Sequence, residues 1–377
     1  PVVVTVFPTP TPAPSPTPTP TFELLSDKPI MGYIFGKPEE LQGINNDIGF
    51  NIIGWTPNSN SKIIVVGENF IDTVDIQTGE KQRFAEWNAE THFISGSPIW
   101  LRTVNEIAFI LGNLKTNQYE FWISAPEEKF AKEPFLANVD YSFVPIDMEA
   151  GIGVFDLNIQ TVVSISDEKT ERKGVTPLRS INTDRHPTYK ILRNRLSNKI
   201  TYYSKDDFLI IDPKTKEAQQ INLVDEQGHP LWALDTQWSN DENKLAFLLT
   251  QGSPPVNFVD LYTYDFKSNK LQKVQTPPSK FINALTWGPD NQHVIVSASI
   301  GEAEFHTPSG DSFVSNVNVL FLIDTLTGMS SPILIHSPEI ASSVGEILWS
   351  PDGKYIITRY RFFQGEIITY RIEIKRP

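Results

Sequence analysis

Short apolar runs, many alternating with polar residues and each broken by a cluster of Pro, Asn, Asp, Ser or Gly, recur along residues 50–360. Alternation over a few residues between turn signals is the pattern of a strand buried on one face. At seven places the run ends on an aromatic residue, passes through a turn and restarts as a β-rich run. The sharp copies begin at Trp55, Trp238, Trp287 and Trp349, and weaker ones lie at Trp100, near Phe143 and near Tyr189. A period of roughly 43–62 residues with about four short strands per unit predicts a β-propeller.

The expected fold is all-β: a seven-bladed propeller over residues 22–377, with six or eight blades also compatible because the third unit, around 141–164, is faint. Each unit reads as a meander whose tight turns hold Gly, Asn or Asp, such as Thr78-Gly79 and Thr327-Gly328, as hairpin geometry demands. The last unit runs one strand short. Ile30–Phe35 is the candidate to complete it, pairing the first and last segments and removing an exposed edge.

Ahead of the repeats, Val2, Val3, Val4, Thr5, Val6 and Phe7 are all β-branched or aromatic and are fenced by Pro1 and Pro8, a strand by propensity and an aggregation hazard if left bare. Residues 8–21 alternate Pro with Thr, Ala or Ser. That composition forbids helix and favours extended polyproline II, at about 3.1 Å per residue a semi-rigid spacer of roughly 43 Å. Thr9, Thr11, Thr17 and Thr19 are candidate acceptors for O-linked sugar, since such tracts typify secreted or surface-tethered proteins. The expected organisation is a donor strand (1–7), a Pro/Thr-rich linker (8–21) and the propeller (22–377). A chain starting at Pro1 without Met implies a leader upstream, and leaves a lipidated cysteine there open.

Trp349-Ser-Pro-Asp-Gly-Lys-Tyr-Ile, supported by Trp287-Gly-Pro-Asp and Trp238-Ser-Asn-Asp, resembles the WD-like repeat of TolB-type bacterial propellers. The resemblance covers most of residues 45–377 in rhythm, and one copy letter by letter. It implies that the tryptophan closes the innermost strand of a blade and that the Pro-Asp-Gly turn leads into the second. It also implies a protein-interaction platform rather than an enzyme. Some family members gate peptidases through a following hydrolase domain; none is read in residues 1–377, so that role is not expected to carry over.

Composition narrows the function. With 32 basic against 45 acidic residues the formal charge is −13, which repels a phosphate backbone and argues against nucleic acid. No run approaches the ~18 apolar residues a membrane span requires, so the body is expected to be soluble. Cysteine is absent, removing disulfides, thiolate metal sites and cysteine nucleophiles.

The nucleophile elbow, the zinc helix and the phosphate loop are all missing. The six histidines, at 92, 186, 229, 293, 306 and 336, show no pair at ligand spacing, so no metal or cofactor is expected. Asp241-Glu242-Asn243 is acidic enough to suggest calcium, yet it occupies the turn that is Pro-Asp-Gly elsewhere. Asp206-Asp207 and Glu127-Glu128 read as solvated turns rather than acid/base pairs. The tryptophans suit sugar stacking in isolation, but their shared repeat position places them between blades. The better candidates are two long connections, Gln251–Asn257 with Pro254 and Pro255, and Gly301–Asn316 with Phe305, His306 and Phe313. Both join second to third strands, hence share one face, the place where repeat proteins carry binding insertions.

Two functions are compatible with these features. In the first, a secreted, non-enzymatic structural or adhesive subunit polymerises head-to-tail by donating residues 2–7 to a neighbouring copy; folding back onto its own blade is disfavoured by the stiff spacer. In the second, a monomeric envelope-tethered propeller binds a protein, peptide or glycan on the long-loop face. Both place the protein at a bacterial cell surface.

Overall fold

The computed structural model describes residues 22–24 and 28–376 with internal gaps, the longest at 45–50, 126–133, 166–189, 194–199, 252–258 and 307–311. Every regular element among the described residues is a strand, and the strands form antiparallel sheets. Five of these sheets are packed blades in a continuous run. Three follow in order, Leu231–Trp238 to Lys270–Lys273, Phe281–Trp287 to Ser330–His336, and Ile340–Trp349 to Ile367–Lys375. Across the junction of the chain ends come Asn51–Trp55 to Lys81–Glu86 and His92–Leu101 to Leu136–Val139.

The expectation of seven regular blades is thereby corrected. Between the 92–139 and 231–273 blades the chain forms a three-stranded sheet (Phe143–Met148, Gly151–Asp156, Thr161–Ile165) and a four-stranded one (Lys190–Arg193 to Glu217–Ile221). These are the units without a tryptophan at the repeat position, where Phe143 and Tyr189 stand instead. Tyr189 itself lies outside the described residues.

Each tryptophan fills the interface with the preceding blade. Trp287 shares a buried cluster with Leu248 and Leu261, Trp349 with Ile295 and Leu320, Trp55 with Ile357 and Leu348, and Trp238 with Phe208 and Ile210 of the four-stranded 190–221 sheet before it. Trp100 is half-buried against Phe84, with ring centroids 5.2 Å apart. A large flat side chain at one fixed position per unit thus seals a wedge that two twisted sheets leave between them.

The turn after each tryptophan explains its own residues. In the 340–375 blade Ser350 Oγ donates to Asp352 Oδ1 (2.7 Å) and accepts from Tyr355 N (2.9 Å). Ser239, Asp241 and Lys244 repeat this at 2.7 and 2.9 Å. The position after the aspartate is left-handed in all three copies: Gly353 at φ 78°, Asn291 at 59° and Glu242 at 60°. Only the glycine adopts that region without steric cost. Asp241 is therefore a turn cap, its carboxylate also taking Asn243 N (3.1 Å) and Asn243 Nδ2 (2.8 Å).

The chain ends close the ring as their sequence suggests. Ile34–Phe35 pairs with Lys375 and Ile374 as the outer strand of the last blade, and Glu39–Glu40 continues onto Arg371 and Tyr370. One further strand was not anticipated: Phe22–Leu24 pairs with His336, Ile335 and Leu334, making the 281–336 blade five-stranded. The body's first residues thus fold onto their own blade.

Candidate binding face

In a meander, alternate connections lie at the same end of the strands. One face therefore carries the Trp-Ser-Pro-Asp-type turns and the links between third and fourth strands. The other carries the second-to-third connections and the crossings from blade to blade.

The turn face is tied together. Asn240 Nδ2 donates to Gly288 O (3.2 Å), Asn291 Oδ1 accepts from Asp241 N (3.0 Å), and Trp287 Nε1 donates to Gln237 O (3.0 Å). At the closure, Asp290 accepts from the Tyr33 hydroxyl, pairs with His293 Nδ1 (2.7 Å), and takes the N–H groups of Gln292 and His293 (3.0 Å each). Arg376 donates to the Tyr33 hydroxyl (2.8 Å) and lies over its ring at 4.9 Å. Two residues near opposite chain ends thus meet on a turn of the preceding blade.

Burial alone would raise the Asp290 carboxyl, but the hydrogen bonds from His293, Tyr33 and Gln292 outweigh it and hold the group well below the usual carboxylate range. Burial and the Asp290 carboxylate push the Tyr33 phenol up. A depressed carboxylate stabilises the fold above its unfolded value, about 3.9, and that stability is lost as pH falls from there through the folded value. Asp290→Asn is expected to cost about 1.5–3 kcal/mol at pH 7. Its deficit against the native protein should shrink below about pH 4, as followed by urea unfolding at both pH values; a pH-independent deficit would contradict the latch.

The opposite face is where the insertions gather. Residues 301–306 and 312–316, part of a segment expected as a loop, are instead paired as the upper half of a long hairpin: His293–His306 pairs with Ser312–Asp324 from His293↔Asp324 to His306↔Ser312. The neighbouring blade's equivalent pairing runs only from Lys244↔Asp265 to Leu249↔Asp260. Beyond a register shift between Ser299 and Gly301 the two strands continue six residue pairs outward, roughly 20 Å at ~3.3 Å per residue. Phe305 stands opposite Phe313 and His306 opposite Ser312. The signal was present in the sequence, since Gly301–His306 and Ser312–Asn318 alternate around Thr-Pro-Ser-Gly-Asp, a turn composition.

At the hairpin's root a polar ladder crosses the blade. Asn283 Nδ2 donates to Asn318 Oδ1 (3.2 Å) and Ser299 Oγ to Asn316 Oδ1 (3.2 Å). Ile300 and Val314 are exposed, Val314 at 63%. On the adjoining 231–273 blade a shallow depression of about 490 Å³ is lined by Val259, Asp260, Lys273, Val274, Gln275 and Pro277. At its rim Lys273 Nζ reaches Asp260 Oδ2 at 2.6 Å. Burial disfavours that ammonium, but Asp260 outweighs it and raises the group.

Pro254, Pro255, Val2–Phe7, Thr9, Thr11, Thr17 and Thr19 lie outside the described residues, as do His186, Asp206-Asp207 and Glu127-Glu128. The connection carrying Pro254 and Pro255 leaves the described chain after Gln251 and re-enters at Val259, at the edge of the depression. Among the described residues, no group of three or more His, Asp or Glu is arranged to hold a metal ion. His92 and His229 each pair with a neighbouring carboxylate, Glu120 and Asp225.

No protein-family model matches this chain, and no curated protein matches it in sequence. Among solved structures it is similar to KlHsv2 with loop 6CD replaced by a Gly-Ser linker, at 10% identity over 88% of this chain and 99% of that one, with a TM-score of 0.50. It is also similar to the C-terminal WD40 domain of Sif2 (14%, 88% and 97%, 0.46) and to the β-propeller domain of Myceliophteria thermophila Cps50 (Swd1) (13%, 85% and 98%, 0.43). At such identities the likeness concerns fold alone. With its meander blades, tryptophan wedges and closing strand, the chain has a β-propeller fold.

Proposed function

We propose that this protein is a non-enzymatic, surface-tethered β-propeller whose loop face binds a protein or peptide. The carrying observation is the long hairpin, whose strands continue six residue pairs beyond their blade on the loop face. Insertions on one face of a repeat fold are where such proteins recognise partners. The Pro/Thr tract suits a spacer at a cell surface, and the Trp-Ser-Pro-Asp-Gly repeat supports kinship with TolB-type bacterial propellers.

A display library of random dodecamer peptides, selected on the full chain, tests the reading. Selected peptides should bind at least ten-fold more weakly once residues 302–315 are replaced by a two-residue turn. Peptides that bind both proteins equally would place recognition elsewhere. Polymerisation through the leading strand is the second reading. It is favoured by the point at which the tail joins the body, at the edge of the blade that bears the hairpin.

A further inference from the structure

The hairpin has two edges, and they differ. The fourth strand of the blade pairs with the third only from Val319↔Ile335 to Ile323↔Ser330, and the first strand pairs with the second only as far as Phe281↔Ser299. Beyond those points, among the described residues, each hairpin strand has a partner on one side only. The inner edge, Gly301–His306, carries Glu302 and Glu304, charges of the kind that blunt an edge against strand addition. The outer edge, Ser312–Val317, reads Ser-Phe-Val-Ser-Asn-Val and carries neither charge nor proline. It is a six-residue, undefended strand edge on an otherwise acidic protein.

The same chain holds a segment suited to it. Val2–Phe7 is also six residues long, uncharged and β-branched or aromatic throughout. In a chain of net charge −13, two neutral segments are where copies can approach without like-charge repulsion. The tail joins the body at Phe22, opposite His336, at the loop-face end of the blade. The strand order 22–24, 330–336, 312–324 puts that root two strand spacings, about 10 Å, from the undefended edge. Residues 8–21, extended, span roughly 43 Å and resist reversal. Returning to an edge about 10 Å away would require that rod to double back, whereas reaching another molecule requires it only to extend.

We propose that the outer edge Ser312–Val317 of the hairpin accepts residues Val2–Phe7 of a second copy as an added β-strand. This rests on the reading of the loop face as the binding face and names its partner. Main-chain pairing provides the affinity, and alternation sends Val2, Val4 and Val6 to one side and Val3, Thr5 and Phe7 to the other. Because donor and acceptor are different surfaces, the contact is head-to-tail, and it builds an open filament unless the rotation closes a ring.

The test uses the full chain, a variant lacking residues 2–7, and the double variant Val314→Lys/Asn316→Lys. The register sets those positions opposite Glu304 and Glu302, so the lysines charge the edge while their cross-strand pairing offsets the lost Ser299–Asn316 hydrogen bond. Sedimentation velocity should show concentration-dependent assemblies for the full chain and monomers for both variants. A labelled peptide of residues 1–12, followed by anisotropy, should bind the 2–7 deletion protein and bind at least ten-fold more weakly when the lysine pair is added. A deletion protein that assembles like the full chain would sink strand donation and leave the loop-face reading standing. A peptide that binds regardless of the lysines would sink the acceptor edge alone. A full chain that stays monomeric, with no peptide binding, would overturn the whole proposal. The display-library comparison, which uses no self-derived sequence, would still decide the loop-face reading.

Discussion

Trp349→Ala is expected to lower unfolding stability by about 3–5 kcal/mol, the range for truncating a large buried aromatic. Trp349 is 5% exposed and wedges the 340–375 blade against Ile295 and Leu320 of the blade before it. It also meets the closing segment, its ring lying 5.3 Å from that of Tyr33. Glycine is required opposite it: a Cβ on Gly288 would come within 2.9 Å of the indole, so nothing larger can follow Trp287 without displacing the wedge. One substitution thus opens an interblade seam and loosens the closure together.

A domain is stable by only about 5–15 kcal/mol, so the urea midpoint should fall by about a fifth or more. Val314→Ala, on the exposed hairpin, should stay within about 0.5 kcal/mol of the native protein. A Trp349→Ala cost under about 1 kcal/mol would refute the wedge. The indole N–H of Trp349 has no hydrogen-bond partner among the described residues, whereas that of Trp287 donates to Gln237 O. Trp287→Phe should therefore cost about 1 kcal/mol more than Trp349→Phe.

The second large effect concerns Glu346 and Arg359. The innermost strand of the last blade shifts register between Val344 and Ile347, which turns Glu346 inward. Its Oε2 accepts from Arg359 (2.9 Å) on the second strand and from Ile52 N (3.4 Å) on the next blade. The arginine side chain is 2% exposed. Burial raises the Glu346 carboxyl above its ordinary value even though Arg359 pulls it down. Arg359→Met removes that counter-charge and is expected to cost about 3–5 kcal/mol at pH 8.

The sign of the pH dependence follows. A carboxyl raised in the fold holds its proton longer than the unfolded chain does. Stability is then full below the unfolded value of about 4.3 and falls as pH rises through the folded one. In Arg359→Met the carboxyl rises further, so its deficit should be smaller at pH 4 than at pH 8. Adding Glu346→Gln should recover part of the loss at pH 8 and abolish its pH dependence. Thermal unfolding at the two pH values decides this, and an equal deficit at both would show that packing rather than charge is at stake.

The blades were legible in the sequence where local chemistry alone determines structure. Apolar, β-branched runs between turn signals marked strands such as Lys62–Val66 and Tyr355–Phe362, and the Asp-then-left-handed turn announced itself as Pro-Asp-Gly at 351–353. The single repeat position of the tryptophans foretold their burial, because a side chain recurring once per unit must meet the same surroundings in each. Where the tryptophan gave way to Phe143 and Tyr189, the count became uncertain, and there the described packing departs from seven regular blades. The hairpin strands Gly301–His306 and Ser312–Val317 read as a loop in sequence because Gly301 and the Pro/Gly composition of 307–311 break a weak alternation.

Sequence by itself determined a repeated β-meander with aromatic wedges, acidic and cysteine-free, behind a proline-stiffened lead, because period, turn chemistry and composition act within a few residues. Tertiary structure alone decided which distant segments meet: Phe22–Leu24 on Leu334–His336, Tyr33 and Arg376 on Asp290, Glu346 beside Ile52 and Arg359. Those contacts join positions up to 343 residues apart. They arise only when the ring brings its ends together, so no local pattern encodes them.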